Sequence, residues 1–303
     1  IRESVPAFLK YLRYIESRKD EKGLVHIGLG DWCHVGDNRP QAPLEVTDTI
    51  MCVDISEKAA FMFDAVGLTE ERDYAQSVAD SFRKAFRDNL IDFETMTVKG
   101  NCQTSQAMSI FYGIFREDEK KAAFDNLLKY IRRADDHIDV GVLGGRVIFH
   151  VLSDFGYSDL AFRMITRPDY PSYGNWIARG ATTLWENFSP DSVASPNHHF
   201  WGDVSAWFIK RVAGLVYNPA GNDVSSLRIS PAFIGALQNA EAYYISSLGR
   251  IEVSWNRAGG NIILKVRVPE KINAEAVLPE GYLFEDGTNA KAIKTGEHII
   301  KAE

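Results

Sequence analysis

Ala75-Gln76-Ser77-Val78-Ala79-Asp80-Ser81-Phe82-Arg83-Lys84-Ala85-Phe86 sets apolar residues at three- and four-residue steps, with charged residues between them. That period fits one buried face of an α-helix and excludes a strand. Thr69 ahead of Glu70-Glu71 reads as its N-cap, with acids in the first turn. The same pattern returns at Phe124, Leu127, Leu128 and Ile131. It returns again at Val147, Ile148, Val151, Leu152 and Phe155, where Gly156 closes it. Ser158 caps a short helix through Ile165, and a last helix is expected from about Asp203 to Val216. About eight amphipathic helices result, and the loops between them hold most of the Gly, Trp, Asn and His. Such an array suggests an α/α toroid rather than a four-helix bundle. The count falls short of a closed toroid, so either the helical part is incomplete on its amino-terminal side or the architecture is a different one.

Near residue 220 the texture changes. Asn218-Pro219-Ala220-Gly221-Asn222-Asp223 has the composition of a linker. Beyond it Ile251, Val253 and Trp255 alternate with Glu252 and Ser254. A turn over 256–261, holding Gly259-Gly260, leads to Ile262, Leu264, Val266 and Val268. Alternation of this kind predicts an antiparallel hairpin with one buried face. Pro269 stops it, and shorter strands follow at 274–278 and 282–284. The expected fold is therefore mainly α with a β tail. Residues 1–220 form the carboxy-terminal part of a toroid, and residues 221–303 form a small antiparallel β-sandwich.

Composition removes several functions. The chain has 303 residues, 45 % of them hydrophobic, so it can bury a substantial core. A net charge of −7 and the lack of a basic stripe argue against a nucleic-acid partner. No apolar run is long enough to span a membrane. Cys33, Cys52 and Cys102 are too scattered for a disulfide framework and read as buried free thiols. There is no GxSxG, no P-loop and no GxGxxG after a strand, so nucleophilic serine, nucleotide and dinucleotide chemistry lack support. No cofactor is expected. Metal is not expected at His198-His199 either, since adjacent side chains should diverge and no HxxxH or HExxH spacing exists. The chain opens Ile1-Arg2-Glu3, so any signal peptide would lie upstream. The compartment stays open, with a periplasmic or secreted location preferred to the cytoplasm. Oligomeric state is not legible.

What remains is a site of aromatic, carboxylate and imidazole groups. In Gly180-Ala181-Thr182-Thr183-Leu184-Trp185-Glu186-Asn187-Phe188, Glu186 sits among large aromatics that can hold it partly out of water and tune it for acid or base work. Pro196-Asn197-His198-His199 follows in a fixed turn. Upstream, Gly30-Asp31-Trp32 lies in a loop over 19–46, long enough to be functional. Trp32 offers an apolar wall for a sugar ring or an anchor for the loop. Asp31 accepts from hydroxyls or caps the local turn. Tyr173, Arg179 and Asn197 keep a polysaccharide lyase arguable.

Taken in order, Gly28-Leu29-Gly30-Asp31-Trp32, Asn101-Cys102-Gln103-Thr104, Gly180 to Glu186, and Ser195-Pro196-Asn197-His198-His199-Phe200-Trp201-Gly202 resemble the bacterial α-L-rhamnosidases of glycoside hydrolase family 78. Tyr170-Pro171-Ser172-Tyr173-Gly174 and Trp207 fall where that family has them. The resemblance implies an (α/α)6 toroid with a terminal α-L-rhamnosyl unit in its cavity, and inverting hydrolysis of a rhamnose-containing glycoside or polysaccharide. It implies Glu186 as general base, with Trp32 and His198 against the sugar and Asp31, Trp185 and His199 around it. Inversion needs an acid roughly 6.5–9.5 Å from the base, leaving room for water. The family's acid belongs to an Asp/Glu/Arg motif well ahead of Gly-Asp-Trp, which places it upstream of Ile1. Asn187 and Phe188 stand where the family has Arg and Trp, and Ala206 stands where it has an acid, which points to an altered substrate range. The competing expectations are a non-catalytic carbohydrate-binding protein and another toroid enzyme, namely an inverting glucosidase, a phosphorylase or a lyase.

Overall fold

The computed structural model describes residues 1–302 other than 37, 38, 190, 192, 193 and 222. Three residues of the Gly180–His199 stretch and Asn222 of the linker thus lie outside the described residues. Six helices come first: α1 (Val5–Ser17), α2 (Leu44–Asp64), α3 (Thr69–Leu90), α4 (Gln103–Phe111), α5 (Glu117–Arg133) and α6 (Val142–Asp154). A small hairpin, β1 (Ile91–Asp92) and β2 (Thr97–Val98), joins α3 to α4. Then come α7 (Ser158–Thr166), α8 (Tyr173–Ala178) and α9 (Asp203–Trp207), and α9 runs into a π-turn over Phe208–Val212. Nine strands follow: β3 (Leu215–Val216), β4 (Ser226–Ile229), β5 (Asn239–Ser246), β6 (Gly249–Ala258), β7 (Asn261–Arg267), β8 (Asn273–Val277), β9 (Tyr282–Phe284), β10 (Ala290–Ile293) and β11 (Gly296–Ala302). The chain packs as two compact units, Ile1–Val151 with Thr166–Trp201, and Leu152–Ile165 with Gly202–Glu303. Among the described residues no helix is long and apolar enough to cross a membrane.

In the first unit, α3 and α5 show the periodicity of the sequence. Ala75, Val78, Ala79, Phe82 and Phe86 are buried, as are Phe124, Leu127 and Ile131. Thr69 is not the N-cap of α3; Leu68 holds that place without a side-chain cap, and Thr69 begins the helix. α5 has a capping box in which the Glu119 carboxylate accepts from the Arg116 amide at 2.8 Å. Two nitrogens of Arg87 also donate to Glu119, at 2.7 and 2.8 Å. This guanidinium pairing holds the Glu119 carboxyl at about 2, below the usual range. α2 and α4 are different, because they bury polar residues as well: Thr47, Asp48, Thr49 and Ser56 on one, Gln103 to Gln106 and Ser109 on the other. The amino-terminal ends of α2, α4 and α6 receive the long loops, so the candidate site is built there.

In the second unit the sheets run in the orders β10-β8-β4-β3 and β5-β6-β7-β11-β9. Every pairing is antiparallel except β4 with β8, which is parallel, so the purely antiparallel expectation holds for one sheet only. Ile251, Val253 and Trp255 of β6 and Ile262, Leu264 and Val266 of β7 are buried, as alternation predicts. They share one apolar core with Leu227 and Ile229 of β4, Ala274 and Ala276 of β8, and Ile300 of β11. The β6–β7 turn is tighter than the sequence suggests: Ala258 pairs with Asn261, and Gly259 and Gly260 both take positive φ. That is the two-residue loop matched to strand twist. The helix expected to reach Val216 stops earlier. Gly214 has φ +84°, a Cβ there would collide with Pro231, and the chain leaves in β3.

Candidate functional site

The loop ahead of α2 is fixed by short-range acceptors. Asp20 takes the amides of Lys22 and Leu24 at 2.9 Å each, and Asp48 takes that of Gly28 at 2.7 Å. Gly28 is required, since a Cβ would lie 2.7 Å from Asp48 Oδ1. At Gly30 and Cys33 the backbone turns left-handed, with φ of +69° and +53°. These two turns send Asp31 inward and Trp32 outward. For Cys33 the conformation is costly and is held by its surroundings.

Asp31 is fully buried. Its Oδ2 accepts from the Gly141 amide at 2.6 Å and from the Thr104 hydroxyl, and its Oδ1 accepts from the amides of Leu143 and Gly144 at 2.8 and 3.0 Å. The Leu143 and Gly144 amides are orphan donors of the first turn of α6, so Asp31 caps that helix from a distant loop. Each oxygen already has two donors. Of the two readings of Asp31, acceptor for hydroxyls or cap of a turn, its four hydrogen bonds fit the cap. Val142 donates to the Trp32 carbonyl at 2.8 Å, and Gly141 is obligatory because a Cβ would strike the Asp31 carbonyl. Trp32 itself is 44 % exposed.

Glu186 is held through its main chain. Its amide donates to Ser195 O at 2.9 Å, its carbonyl accepts from Trp201 Nε1 at 2.9 Å, and next to it His198 N donates to Leu184 O at 2.8 Å. Trp201 is 2 % exposed and lies against Gly145, where a Cβ would come within 2.5 Å of the indole. Phe188 lies edge-on to Trp201 with centroids 4.7 Å apart, and stacks on Trp176 at 4.0 Å. Trp185 packs on Trp176 and under the Arg179 guanidinium, 5.0 Å from its ring. The Glu186 carboxylate receives no hydrogen bond from another described residue. Burial, reinforced by the negative charge of Glu186, pushes the Cys33 thiol up to about 11. The Cys33 thiol thus lies within electrostatic range of Glu186, more than 150 residues further along the chain. All three cysteines are buried free thiols.

Trp32 meets Phe200 edge to face at 6.5 Å, and Phe200 meets His198 at 3.8 Å. The two histidines do not diverge: their rings are stacked, 10° apart in plane and 5.1 Å between centroids. The Phe200 amide donates to His198 Nδ1 at 3.3 Å, which leaves the proton on Nε2. His198 then presents a donor outward. Trp32, His198 and His199 are thus joined through Phe200, and the segment of Glu186 is tied to His198 through the Leu184 carbonyl. Trp185 braces the cluster through Trp176. Sequence reasoning gave no role to Cys33, Phe200 or Trp201, or to Gly145. The signal for Trp201 was present in Ser195–Gly202, but only the Glu186 carbonyl reveals what it does.

A carboxylate, an exposed indole and two imidazoles thus lie in the loops of a helical domain. The bacterial alpha-L-rhamnosidase 6 hairpin glycosidase domain matches residues 1–212, and the bacterial alpha-L-rhamnosidase C-terminal domain matches residues 225–289. The chain belongs to the bacterial alpha-L-rhamnosidase family. An alpha-L-rhamnosidase of Streptomyces avermitilis is 29 % identical over 289 residues, which covers 91 % of this chain and 27 % of the relative. One from Alteromonas sp. is 27 % identical over 311 residues, 96 % of this chain and 33 % of the relative. The crystal structure of the Streptomyces avermitilis alpha-L-rhamnosidase complexed with L-rhamnose superposes with a TM-score of 0.86 at 27 % identity, covering 99 % of this chain and 30 % of that one. The chain therefore spans about a third or less of the length of these relatives.

Proposed function

We propose that the chain supplies the rhamnose-binding face and the general base of an inverting α-L-rhamnosidase. Residues 1–220 contribute the carboxy-terminal part of the catalytic domain, and residues 221–303 accompany it as a β-domain. The observation that carries this reading is Glu186. Its main chain is pinned at both polar groups while its carboxylate, within electrostatic range of Cys33, receives no hydrogen bond from another described residue. An ionised carboxylate without a competing partner can take a proton from water as that water attacks an anomeric carbon. Trp32 offers an apolar wall to the sugar's C–H face, and His198 Nε2 offers a donor to a hydroxyl. His199 and Trp185 brace these groups. The acid comes from elsewhere, because Asp31 has no free oxygen to share.

In the complete gene product, Glu186→Gln lowers kcat on an aryl α-L-rhamnoside by about 10²-fold or more, with L-rhamnose affinity within about twofold. Near-normal turnover would refute the role of Glu186. First-formed β-L-rhamnose, read by NMR, is the expected mark of inversion. The competing reading is recognition of rhamnosides without turnover. Rhamnose binding with no hydrolysis by the complete product selects it.

A further inference from the structure

We infer that the groove between the β1–β2 hairpin and α5 is a second saccharide site, and that it takes a sugar carrying an anionic group, a carboxylate or a sulfate ester. The groove encloses about 910 Å³, within the range of small-ligand sites. It is walled by Thr95 and Thr97 on the hairpin, by Asn101 after it, and by Lys129 and Arg133 one turn apart on α5.

Three features make this more than a surface dip. First, the hairpin wall is locked from inside. Gln106, fully buried, accepts from the Val98 amide at 3.2 Å and donates to Met96 O at 2.8 Å. Asn126, nearly buried, donates to Thr95 O and Met96 O at 2.6 and 3.2 Å. Second, Met96, Gly100 and Asn101 all have positive φ, at +55°, +98° and +48°. Strain at a non-glycine residue, held by buried amides, is characteristic of binding segments. Third, two of the three cations that line the groove have no ion-pair partner among the described residues. Lys99 is paired with Glu45 at 2.7 Å, but neither Lys129 nor Arg133 has a carboxylate within ion-pair distance among the described residues. Lys129 donates to Asn126 Oδ1 at 2.9 Å, and the Arg133 guanidinium lies 5.5 Å from the Tyr130 ring. Two carboxylates line the groove as well: Asp92 accepts the amides of Glu94 and Thr95 in its own turn, and Glu94 has no cation within ion-pair distance among the described residues.

A basic last turn alone is ordinary helix-end electrostatics. Set against the hairpin wall, Lys129 and Arg133 offer two unneutralised charges to an anion, against the single unpaired carboxylate of Glu94, and the Thr95–Thr97 hydroxyl pair lies beside them. Rhamnose is neutral, so this is not the site at Trp32. The two are connected through α4: Asn101 accepts from the Tyr130 hydroxyl at 3.2 Å, and three residues on, Thr104 holds Asp31. That the anion is borne on a saccharide rests on the reading of the chain as part of a glycosidase; the anion itself rests on Lys129 and Arg133.

The test is calorimetric titration of the full chain with trigalacturonate, with a sulfated trisaccharide, and with maltotriose as the neutral control. At least one anionic ligand binds at least tenfold tighter than maltotriose and weakens as salt rises. Lys129→Ala/Arg133→Ala lowers that affinity tenfold or more and leaves L-rhamnose binding and the thermal midpoint unchanged. The tighter anionic arm identifies the group. Equal binding of all three sugars, or anionic binding retained in a folded double variant, overturns the site. L-Rhamnose affinity is measured separately, so failure of the rhamnosidase reading leaves this result legible.

Discussion

The Gly30–Val35 loop and the Leu184–Trp201 segment bring their side chains to one site by opposite means. The first is held by a single buried carboxylate that collects four neutral donors. The second is held by main-chain hydrogen bonds and stacked rings, with its own carboxylate left free. Two acids that look alike in sequence thus divide the labour. One is fully buried with four hydrogen bonds to its oxygens; the other has none from another described residue.

The largest expected effect falls on the first mode. Asp31→Ala strands three amides and a hydroxyl in a buried place, and should cost about 3–5 kcal/mol in urea unfolding. A loss under about 1 kcal/mol would show that the cap is dispensable. Trp201→Phe tests the second mode. It removes one hydrogen bond and part of a ring, for about 1–3 kcal/mol. Because rings share the load, this should be clearly the milder change.

Glu119 sharpens the contrast, since it is a buried acid satisfied by a guanidinium rather than by neutral donors. Its carboxyl is held at about 2 by Arg87, below its ordinary value of 4.5. A carboxyl depressed in the folded state contributes stability that is complete above its unfolded pKa and is lost as pH falls towards the folded one. Acid unfolding should therefore lose on the order of 1–2 kcal/mol between about pH 4.5 and 2. Glu119→Gln should flatten that part of the profile. An identical slope in the variant would assign the acid sensitivity to other groups.

The parts legible in sequence were those whose signal is local. Alternation in Ile251 to Val266 fixed β6 and β7, and three- and four-residue steps fixed α3 and α5, because each buries one face. α2 and α4 escaped detailed reading, because both bury Thr, Ser and Gln alongside apolar residues and so show no clean stripe. β5 was equally silent: Tyr243 and Ile245 are exposed, so nothing marks a buried face. At the site, the motif spacing picked out Glu186, Trp32 and His198, which the fold clusters. It could not distinguish Asp31 as a helix cap, since its donors lie 73 to 113 residues away and three of them are backbone amides with no sequence signature. The stacking of His198 on His199 was invisible for a similar reason, as it depends on Phe200 turning the chain.

The framing of Glu186 by its own amide and carbonyl separates reactivity from architecture. Whatever side chain occupies position 186, the peptide around it finds the same partners in Ser195 and Trp201. A lineage could exchange that one side chain and keep the main-chain path and the stacked rings around it unchanged.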